Sequence, residues 1–363
     1  MKPKVVFVSE AIRRDSHAPL RFLRDFEVVH FFCEAPYGDM SPEDYKGARQ
    51  VDLKDMYAAI VKEKPAIIQG AEPFGSRRAL RLSWISNRAA RATGAKLVVP
   101  ILENRPISAR FNRVQRAVLR LVCPKIFASA AAVVVLNRGA QTNVRSYFRQ
   151  AKIKRGIIWG VWGVDSDLFR PRGKREQKSM LYVGRLVEDK GLRYLLEGFR
   201  KAAQKIPKLR LRLAGSGPLL KELKAFVKKN NLSGQVEFLG VIKNVELPSF
   251  FSRADLCVYP SITMPRWEEQ VGTVNFQALA CGTPVLTTMS GAIPEYIKEG
   301  EGALLVKQRS AAALAAAIVK YYSDRKLRER LQSSARQVAR KYDIKNEVGK
   351  AGKLFWEILD EKK

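Results

Sequence analysis

Residues 179–206 read SMLYVGRLVEDKGLRYLLEGFRKAAQKI and hold one complete unit of the fold. The apolar run that opens this stretch predicts a buried strand, and the glycine of YVGR predicts a turn after it. From 192 to 206 the apolar residues recur at helical spacing. The same alternation continues along the chain, with strands predicted at 209–217, 236–240, 255–261 and 283–288 and helices at 219–231 and 247–254. Strands that alternate with helices in this way are typical of a parallel α/β sheet.

The first half of the chain repeats this alternation. Strands are predicted at 4–10, 27–33, 66–71, 96–102 and 131–137, and a helix at 77–94. Residues 159–179 are rich in Gly, Pro and charge and read as a linker. Because 363 residues exceed the usual size of one core, the sequence predicts two doubly wound, Rossmann-like α/β domains facing a cleft. We place them at 1–165 and 166–340, and the tail from about 310 is predicted to be helical and basic.

The charge of the chain is unusual and unevenly spread. Lys and Arg number 66 against 35 Asp and Glu, a net charge of +31. Residues 76–155 hold 18 basic residues and one acid, Glu103, so this span contributes +17. Such a span predicts a surface that faces a polyanion, either acidic lipid headgroups, nucleic acid or an anionic substrate.

Cysteine and hydropathy patterns exclude several classes of protein. The four cysteines form no CxxC pair and the chain has two histidines, so we expect reduced, buried thiols and no metal site. No run of 18 apolar residues predicts a membrane span, and the N-terminal segment lacks the long apolar region of a signal peptide.

Two stretches carry the residues expected to bind a ligand. In YVGRLVEDKG, Gly184 lets a backbone approach a ligand, while Arg185 and Lys190 suit a diphosphate. The alternative is a surface turn with two cations. In RWEEQVGTVNFQALACGTPV (266–285), two acids precede a helix start whose free N–H groups can hold an anion. The alternative there is a pair of acids favourably placed near a helix N-terminus. With LAGSGP (213–218) and SGAIPE (290–295), four loops at strand ends are predicted to converge.

These motifs resemble those of the retaining glycosyltransferases of family 4, which have the GT-B fold. The resemblance is strong from about 159 to 342 and rests on WGVDSDLFRP, VGRLVEDKG, LAGSGP, VEFLG, ADLCVYPS, EEQVGTVNFQALACGTPV and SGAIPE. It implies that the second domain binds a nucleotide-diphosphate sugar and that the last helix, 341–363, returns to the first domain. It implies contacts to the donor from Gly184, Arg185, Lys190, Glu269, the helix-start amides of Gly272, Thr273 and Val274, and Gln277.

The resemblance also defines where this sequence departs from the family. Glu269 matches the acid that faces the donor sugar, whereas the acid that grips the ribose is replaced by Gln277. Gln keeps an acceptor but loses the charge, so an active enzyme is expected, with a binding-only homologue as the alternative. In the first domain, where the resemblance is weaker, the candidates for the acceptor side are His17, Glu103 and Asn104. The family implies that the leaving phosphate helps deprotonate the acceptor, so no metal or other cofactor is expected.

A basic amphipathic helix is predicted at 110–125. Arginines 110, 113, 116 and 120 share one face, and Val114, Val118, Leu121 and Val122 lie on the other. The alternative is that the apolar face packs on the sheet. We predict a cytoplasmic enzyme, peripheral on the anionic inner face of the membrane, with a lipid-linked or membrane-associated glycan acceptor. A nucleic-acid-binding protein fits the charge but leaves the donor motifs unexplained, and an oxidoreductase lacks its GxGxxG fingerprint.

Overall fold

The structure, a computed structural model, describes residues 1–36, 40–160, 162–265 and 267–361. The chain folds into two units. The first unit is formed by Met1–Trp162 with Ile344–Lys363, and the second unit is Gly163–Asp343.

Within the described residues, the first unit contains a seven-stranded sheet whose paired strands are all parallel. The strands are β1 (Lys4–Ser9), β2 (Glu27–Phe32), β3 (Ala48–Gln50), β4 (Ile67–Gln69), β5 (Lys96–Ile101), β6 (Ala130–Val135) and β7 (Ile153–Lys154). Their order is β3-β2-β1-β4-β5-β6-β7. The helices are α1 (Arg14–His17), α2 (Met56–Lys62), α3 (Arg77–Thr93), α4 (Ile107–Arg110), α5 (Arg113–Ser129) and α6 (Arg138–Tyr147), with 3-10 turns at Ala18–Phe22 and Pro42–Tyr45.

Helix α5 starts later than the sequence predicted. The Asn112 side chain accepts the Gln115 N–H at 2.9 Å, and the Gln115 side chain accepts the Asn112 N–H at 3.0 Å. This reciprocal capping box sets the helix start, so Arg110 lies outside α5, in the short helix α4. The expectation that Arg110 shares the helix face of the other three arginines is therefore wrong.

The residues that α5 buries also differ from those that the sequence placed on its apolar face. The residues that α5 buries are Leu119, Cys123, Ile126 and Phe127. Val114 and Leu121, which the sequence placed on the apolar face, stay 74% and 70% exposed. The helix therefore has a core-facing side and, separately, a stripe of exposed apolar residues.

The second unit contains a six-stranded parallel sheet within the described residues. Its strands are β8 (Ser179–Val183), β9 (Arg210–Ala214), β10 (Val236–Gly240), β11 (Leu256–Tyr259), β12 (Val285–Thr288) and β13 (Ala303–Val306), in the order β10-β9-β8-β11-β12-β13. Its helices are α7 (Leu192–Ala203), α8 (Leu220–Lys229), α9 (Leu247–Arg253), α10 (Thr273–Ala280), α11 (Ile293–Tyr296), α12 (Ala311–Ser323) and α13 (Arg325–Lys341), with a 3-10 turn at Glu188–Lys190. The strand order reverses between β8 and β11, which is where doubly wound sheets bind ligands.

The last helix, α14 (Ile344–Asp360), covers one face of the sheet of the first unit. On β1, Val5 and Phe7 face α14 and the alternate residues face α3 and α5, as the period of a strand requires. Phe355 of α14 packs edge-on against Trp159, with ring centroids 5.7 Å apart. The buried Glu347 carboxylate accepts the Ile158 N–H at 2.7 Å, so a polar contact also fixes this helix.

The fold class predicted from the sequence, two Rossmann-like α/β domains, is confirmed. Among the described residues, no helix is both long enough and apolar enough to cross a bilayer.

Candidate functional site

Four loops of the second unit meet beside the reversal of strand order. They follow β8, β9, β11 and β12. The Leu186 N–H donates to the Ser216 carbonyl at 2.8 Å, and the Ile262 N–H donates to the Asp189 carbonyl at 2.8 Å. The Ala292 N–H donates to the Glu269 carbonyl at 2.9 Å. Backbone hydrogen bonds therefore hold the four loops in one cluster, which we call the loop cluster.

An ion pair between Lys190 and Glu269 lies in the loop cluster. The Lys190 Nζ lies 2.7 Å from the Glu269 Oε1, and the side chains are only 18% and 14% exposed. The same oxygen accepts the Ser261 hydroxyl at 2.8 Å, and the Lys190 Nζ lies 4.0 Å from the Trp267 ring centroid. Partial burial makes this pair sensitive to a new anion, because a phosphate would compete with the carboxylate for the ammonium.

Arg185 lies at the carboxyl end of β8 in a different setting. The buried Tyr182 hydroxyl donates to the Arg185 carbonyl at 2.7 Å, which fixes the backbone of the turn after Gly184. The Arg185 side chain is 61% exposed, and its Nη2 lies 3.7 Å from Asp189 Oδ2. A guanidinium on a fixed backbone, with a long and weak ion pair, can turn toward a phosphate at low cost.

Helix α10 begins at the edge of the loop cluster. Its N-cap is Gly272, at φ +74°, a left-handed conformation that L side chains rarely adopt. The Asn275 side-chain amide donates to the Gly272 carbonyl at 2.9 Å, and Asn275 Nδ2 occupies the space a Cβ at Gly272 would need. Thr273 and Val274, both half-buried, open the helix. Their N–H groups lie where a helix has no internal acceptors, so they suit an anion.

Along the chain, Glu269 precedes the start of α10 and Gln277 follows it. Gln277 is half-buried in the second turn of α10, and its carbonyl accepts the Cys281 N–H at 3.2 Å. Gly291, at φ +51°, lies directly against the Glu269 backbone, where a Cβ would collide. The loop after β12 therefore packs directly against the loop that carries Glu269 and restricts the position of the Glu269 backbone.

The first unit has a pocket, lined by both polar and apolar side chains, at the carboxyl ends of β1, β4 and β5. Its volume is about 240 Å³, and its lining includes Ser9, Glu10, His30, Glu72 and Trp159. The Ser9 hydroxyl lies 2.9 Å from His30 Nε2. Burial, together with the neighbouring His17, lowers the pKa of His30 to about 3, so His30 is neutral at physiological pH.

The structure places the three acceptor-side candidates near this pocket but not in its described lining. The buried Glu103 forms ion pairs with Arg105, at 3.4 Å, and with Arg110. The Asn104 carbonyl packs against Gly139 at the start of α6. His17 Nδ1 lies 3.0 Å from the Nδ1 of His30.

Glu72 is a pocket residue that the sequence analysis missed. Its Oε1 accepts the N–H groups of Leu102 and Glu103, at 2.8 and 2.6 Å. Desolvation raises the pKa of Glu72 to about 7, against the opposing Leu102 hydrogen bond and the charge of Arg110. An acid directly after the buried run AIIQGA was the available signal, since polar residues at strand ends often line sites.

Two parallel α/β units of this kind define the GT-B architecture. The structure of HepE from Anabaena in complex with UDP superposes on the chain with a TM-score of 0.77. It covers 98% of this chain and 100% of HepE at 18% sequence identity, a likeness that establishes the fold.

Residues 165–338 match the family model Glycosyl transferases group 1. WcaL of Salmonella typhimurium is 30% identical over 163 residues, which are 44% of this chain and 40% of WcaL. The chain thus spans less than half the length of that relative. A GDP-mannose-dependent alpha-(1-6)-phosphatidylinositol monomannoside mannosyltransferase of Mycolicibacterium smegmatis is 25% identical over 304 residues, which are 76% of this chain and 78% of that enzyme.

Proposed function

We propose that the chain is a retaining glycosyltransferase of family 4 that transfers a hexosyl group from a nucleotide-diphosphate sugar to a hydroxyl acceptor. The observation that carries the proposal is the Lys190–Glu269 ion pair, half-enclosed beside the start of α10 in the loop cluster. The family match of residues 165–338 supports it, as does the UDP bound by the structurally similar HepE.

The proposed roles follow from charge and position. Lys190 and Arg185 stabilise the diphosphate as it leaves, and the N–H groups of Thr273 and Val274 add donors. Once the diphosphate engages Lys190, the Glu269 carboxylate is released to hydrogen-bond the hydroxyls of the donor sugar. Gly184 allows the strand end to approach the nucleotide.

In the proposed reaction, the bond from the anomeric carbon to the diphosphate oxygen breaks and the acceptor oxygen bonds the same face of that carbon. The acceptor proton passes to the leaving phosphate oxygen. The protein contributes alignment and charge stabilisation, and we propose that it needs no metal or other cofactor.

Gln277 supports a second candidate, a homologue that binds the donor without turning it over. An amide in place of the acid still accepts one hydrogen bond from a ribose hydroxyl, but it lacks the stronger charge-assisted contact. We favour the active enzyme, because the Lys190–Glu269 pair, to which we assign the diphosphate and the donor sugar, is formed without Gln277.

For the acceptor, we propose a lipid-linked or membrane-associated glycan, met by peripheral association with the anionic inner face of the cytoplasmic membrane. The exposed Val114 and Leu121 lie on α5 together with the exposed Arg113 and Arg120. Such a helix can lie in a bilayer interface, and each Lys or Arg near an anionic surface contributes about 1 kcal/mol. The phosphatidylinositol mannoside named for the mycobacterial relative supports this choice. Flotation with anionic and neutral vesicles tests it, and equal recovery at low salt would count against it.

A panel of UDP-, GDP- and ADP-sugars tests the proposed activity. We expect one of them to raise the Tm and to be hydrolysed slowly without an acceptor. Lys190→Ala should remove both effects. Arg193→Ala, which changes an exposed cation already paired with Glu222 at 2.6 Å, should leave both unchanged. A Tm shift with oligonucleotides but with no nucleotide-diphosphate would favour a polyanion-binding protein instead.

A further inference from the structure

The first unit carries an apolar groove between α3 and α5, distinct from the 240 Å³ pocket described above. Its volume is about 570 Å³, within the usual range for small-molecule sites. Its walls are formed by Leu53, Leu80, Trp84, Ile85, Phe111 and Val122. Val114 and Val118 form its lip and remain 74% and 43% exposed, so the groove is continuous with the exposed apolar stripe of α5.

Cationic residues border one end of this groove. Arg77 and Arg81 line it and are exposed, one turn apart on the same face of α3. A polar pocket of about 970 Å³ adjoins the groove and shares with it Leu53, Ser76, Arg77 and Arg81. The lining of the groove therefore changes from apolar side chains to guanidinium groups within one turn of α3.

The adjoining polar pocket lies beside the 240 Å³ pocket at the sheet edge. The two share Glu10, whose Oε1 accepts the Ser76 hydroxyl at 2.6 Å. The three pockets therefore adjoin one another. The first is lined by apolar residues of α3 and α5, the second by Arg77 and Arg81 together with the acids Glu34 and Asp52, and the third includes Ser9, Glu10 and His30. That sequence of environments matches an amphiphile with a hydrocarbon chain, an anionic phosphate and a polar head.

We propose that the groove between α3 and α5 binds a hydrocarbon chain of a phosphate-bearing lipid, whose phosphate lies at Arg77 and Arg81. The polar head then extends toward Glu10 and the 240 Å³ pocket. The identification of this lipid as the acceptor rests on the proposed function, whereas the chain-binding groove itself does not. The lipid is the occupant that the groove favours, because its apolar walls end at Arg77 and Arg81, where a phosphate can accept hydrogen bonds from two guanidinium groups.

The test uses the full chain and a short-chain phosphatidylglycerol with brominated acyl chains, held below its critical micelle concentration so that no bilayer is present. Bromine quenches tryptophan on contact, and Trp84 is the tryptophan among the described lining residues. We expect saturable quenching that Trp84→Phe removes. Quenching that is undiminished in Trp84→Phe would overturn the proposal.

Two matched variants separate the groove from the membrane-facing stripe. Val118 lines the groove, whereas Leu121, on the same helix and also exposed, is not among its described lining residues. Val118→Glu should weaken the quenching at least tenfold, and Leu121→Glu should change it less than twofold. Equal effects of the two variants would contradict a groove-bound chain.

Two further measurements test the role of the arginines and the oligomeric state. Arg77→Ala with Arg81→Ala should weaken binding of the phosphatidylglycerol several-fold, and should weaken binding of a brominated short-chain diacylglycerol, which lacks the phosphate, much less. A concentration-dependent dimer that Val118→Glu dissociates, without lipid quenching, would assign the groove to a second copy and overturn the proposal. The Tm shift with nucleotide-sugars should be the same in Val118→Glu and the native chain, so failure of the donor proposal would be seen separately.

Discussion

Lys190 in the second unit and the arginines of α5 in the first unit are cations in opposite settings. Lys190 is mostly buried, lies 2.7 Å from a carboxylate and stands against an aromatic ring. Arg113 and Arg120 are exposed on a helix within a span that carries +17. The first arrangement fixes one charge at one point, as a reacting group requires, and the second spreads charge over a surface, as a membrane requires. Charge density alone therefore does not locate the proposed site.

The largest expected effect is that of Lys190→Ala. Removing one preorganised cation from a developing diphosphate charge costs about 3 kcal/mol, so kcat/KM should fall on the order of 100-fold. Arg113→Ala, the matched change on α5, should leave kcat/KM with a soluble acceptor within twofold. Similar losses in both variants would remove the distinction between the two regions.

Glu72, in the pocket of the first unit, gives a test through the pH dependence of stability. Since the pKa of Glu72 is raised from 4.5 to about 7, the native state binds more protons than the unfolded state between these values. The free energy of unfolding should therefore fall as pH rises from about 4.5 to about 7, by up to about 3 kcal/mol. Glu72→Gln, which keeps an acceptor for the Leu102 and Glu103 N–H groups, should flatten that fall in urea titrations at pH 5 and pH 8. An unchanged pH dependence would show that the Glu72 carboxyl is not desolvated.

Arg185→Ala should have a smaller effect than Lys190→Ala. The guanidinium is exposed in the free protein and reaches the phosphate as a flexible contact, so we expect a loss of about 2 kcal/mol, or roughly 30-fold in kcat/KM. Steady-state kinetics within twofold of the native chain would exclude Arg185 from the site.

Gln277→Glu should produce the smallest change. A carboxylate accepts a stronger hydrogen bond from a ribose hydroxyl than an amide does, so nucleotide binding should tighten several-fold, by about 1 kcal/mol. If turnover appears only in this variant, the native chain is the binding-only homologue.

The sequence predicted the strands of the second unit well because their apolar runs are bounded by Gly and charge. The strand predicted at 236–240 matches β10, whereas β3 and β7, of three and two residues, are too short for a periodic signal. Arg110 was assigned to α5 because charge spacing continues through it, while the Asn112 capping box begins the helix after it.

The site was predicted less completely than the fold. Loop chemistry pointed to Lys190 and Glu269 as separate candidates, but their direct pairing, and the contacts of Ser261 and Trp267, depend on three-dimensional packing of loops. The apolar groove could not be read from the sequence either. Helical periodicity assigned Val114 and Val118 to an apolar face but could not show that the face stays open beside α3.

Calorimetric titration of the native chain and of Lys190→Ala with UDP, GDP and ADP tests directly whether Lys190 belongs to a diphosphate site. We expect that one nucleotide-diphosphate binds the native chain and binds Lys190→Ala at least tenfold more weakly, while Arg193→Ala binds it like the native chain. Equal affinity of the native chain and Lys190→Ala, or no binding of any of the three nucleotides to the native chain, would contradict the assignment of Lys190 to a diphosphate site.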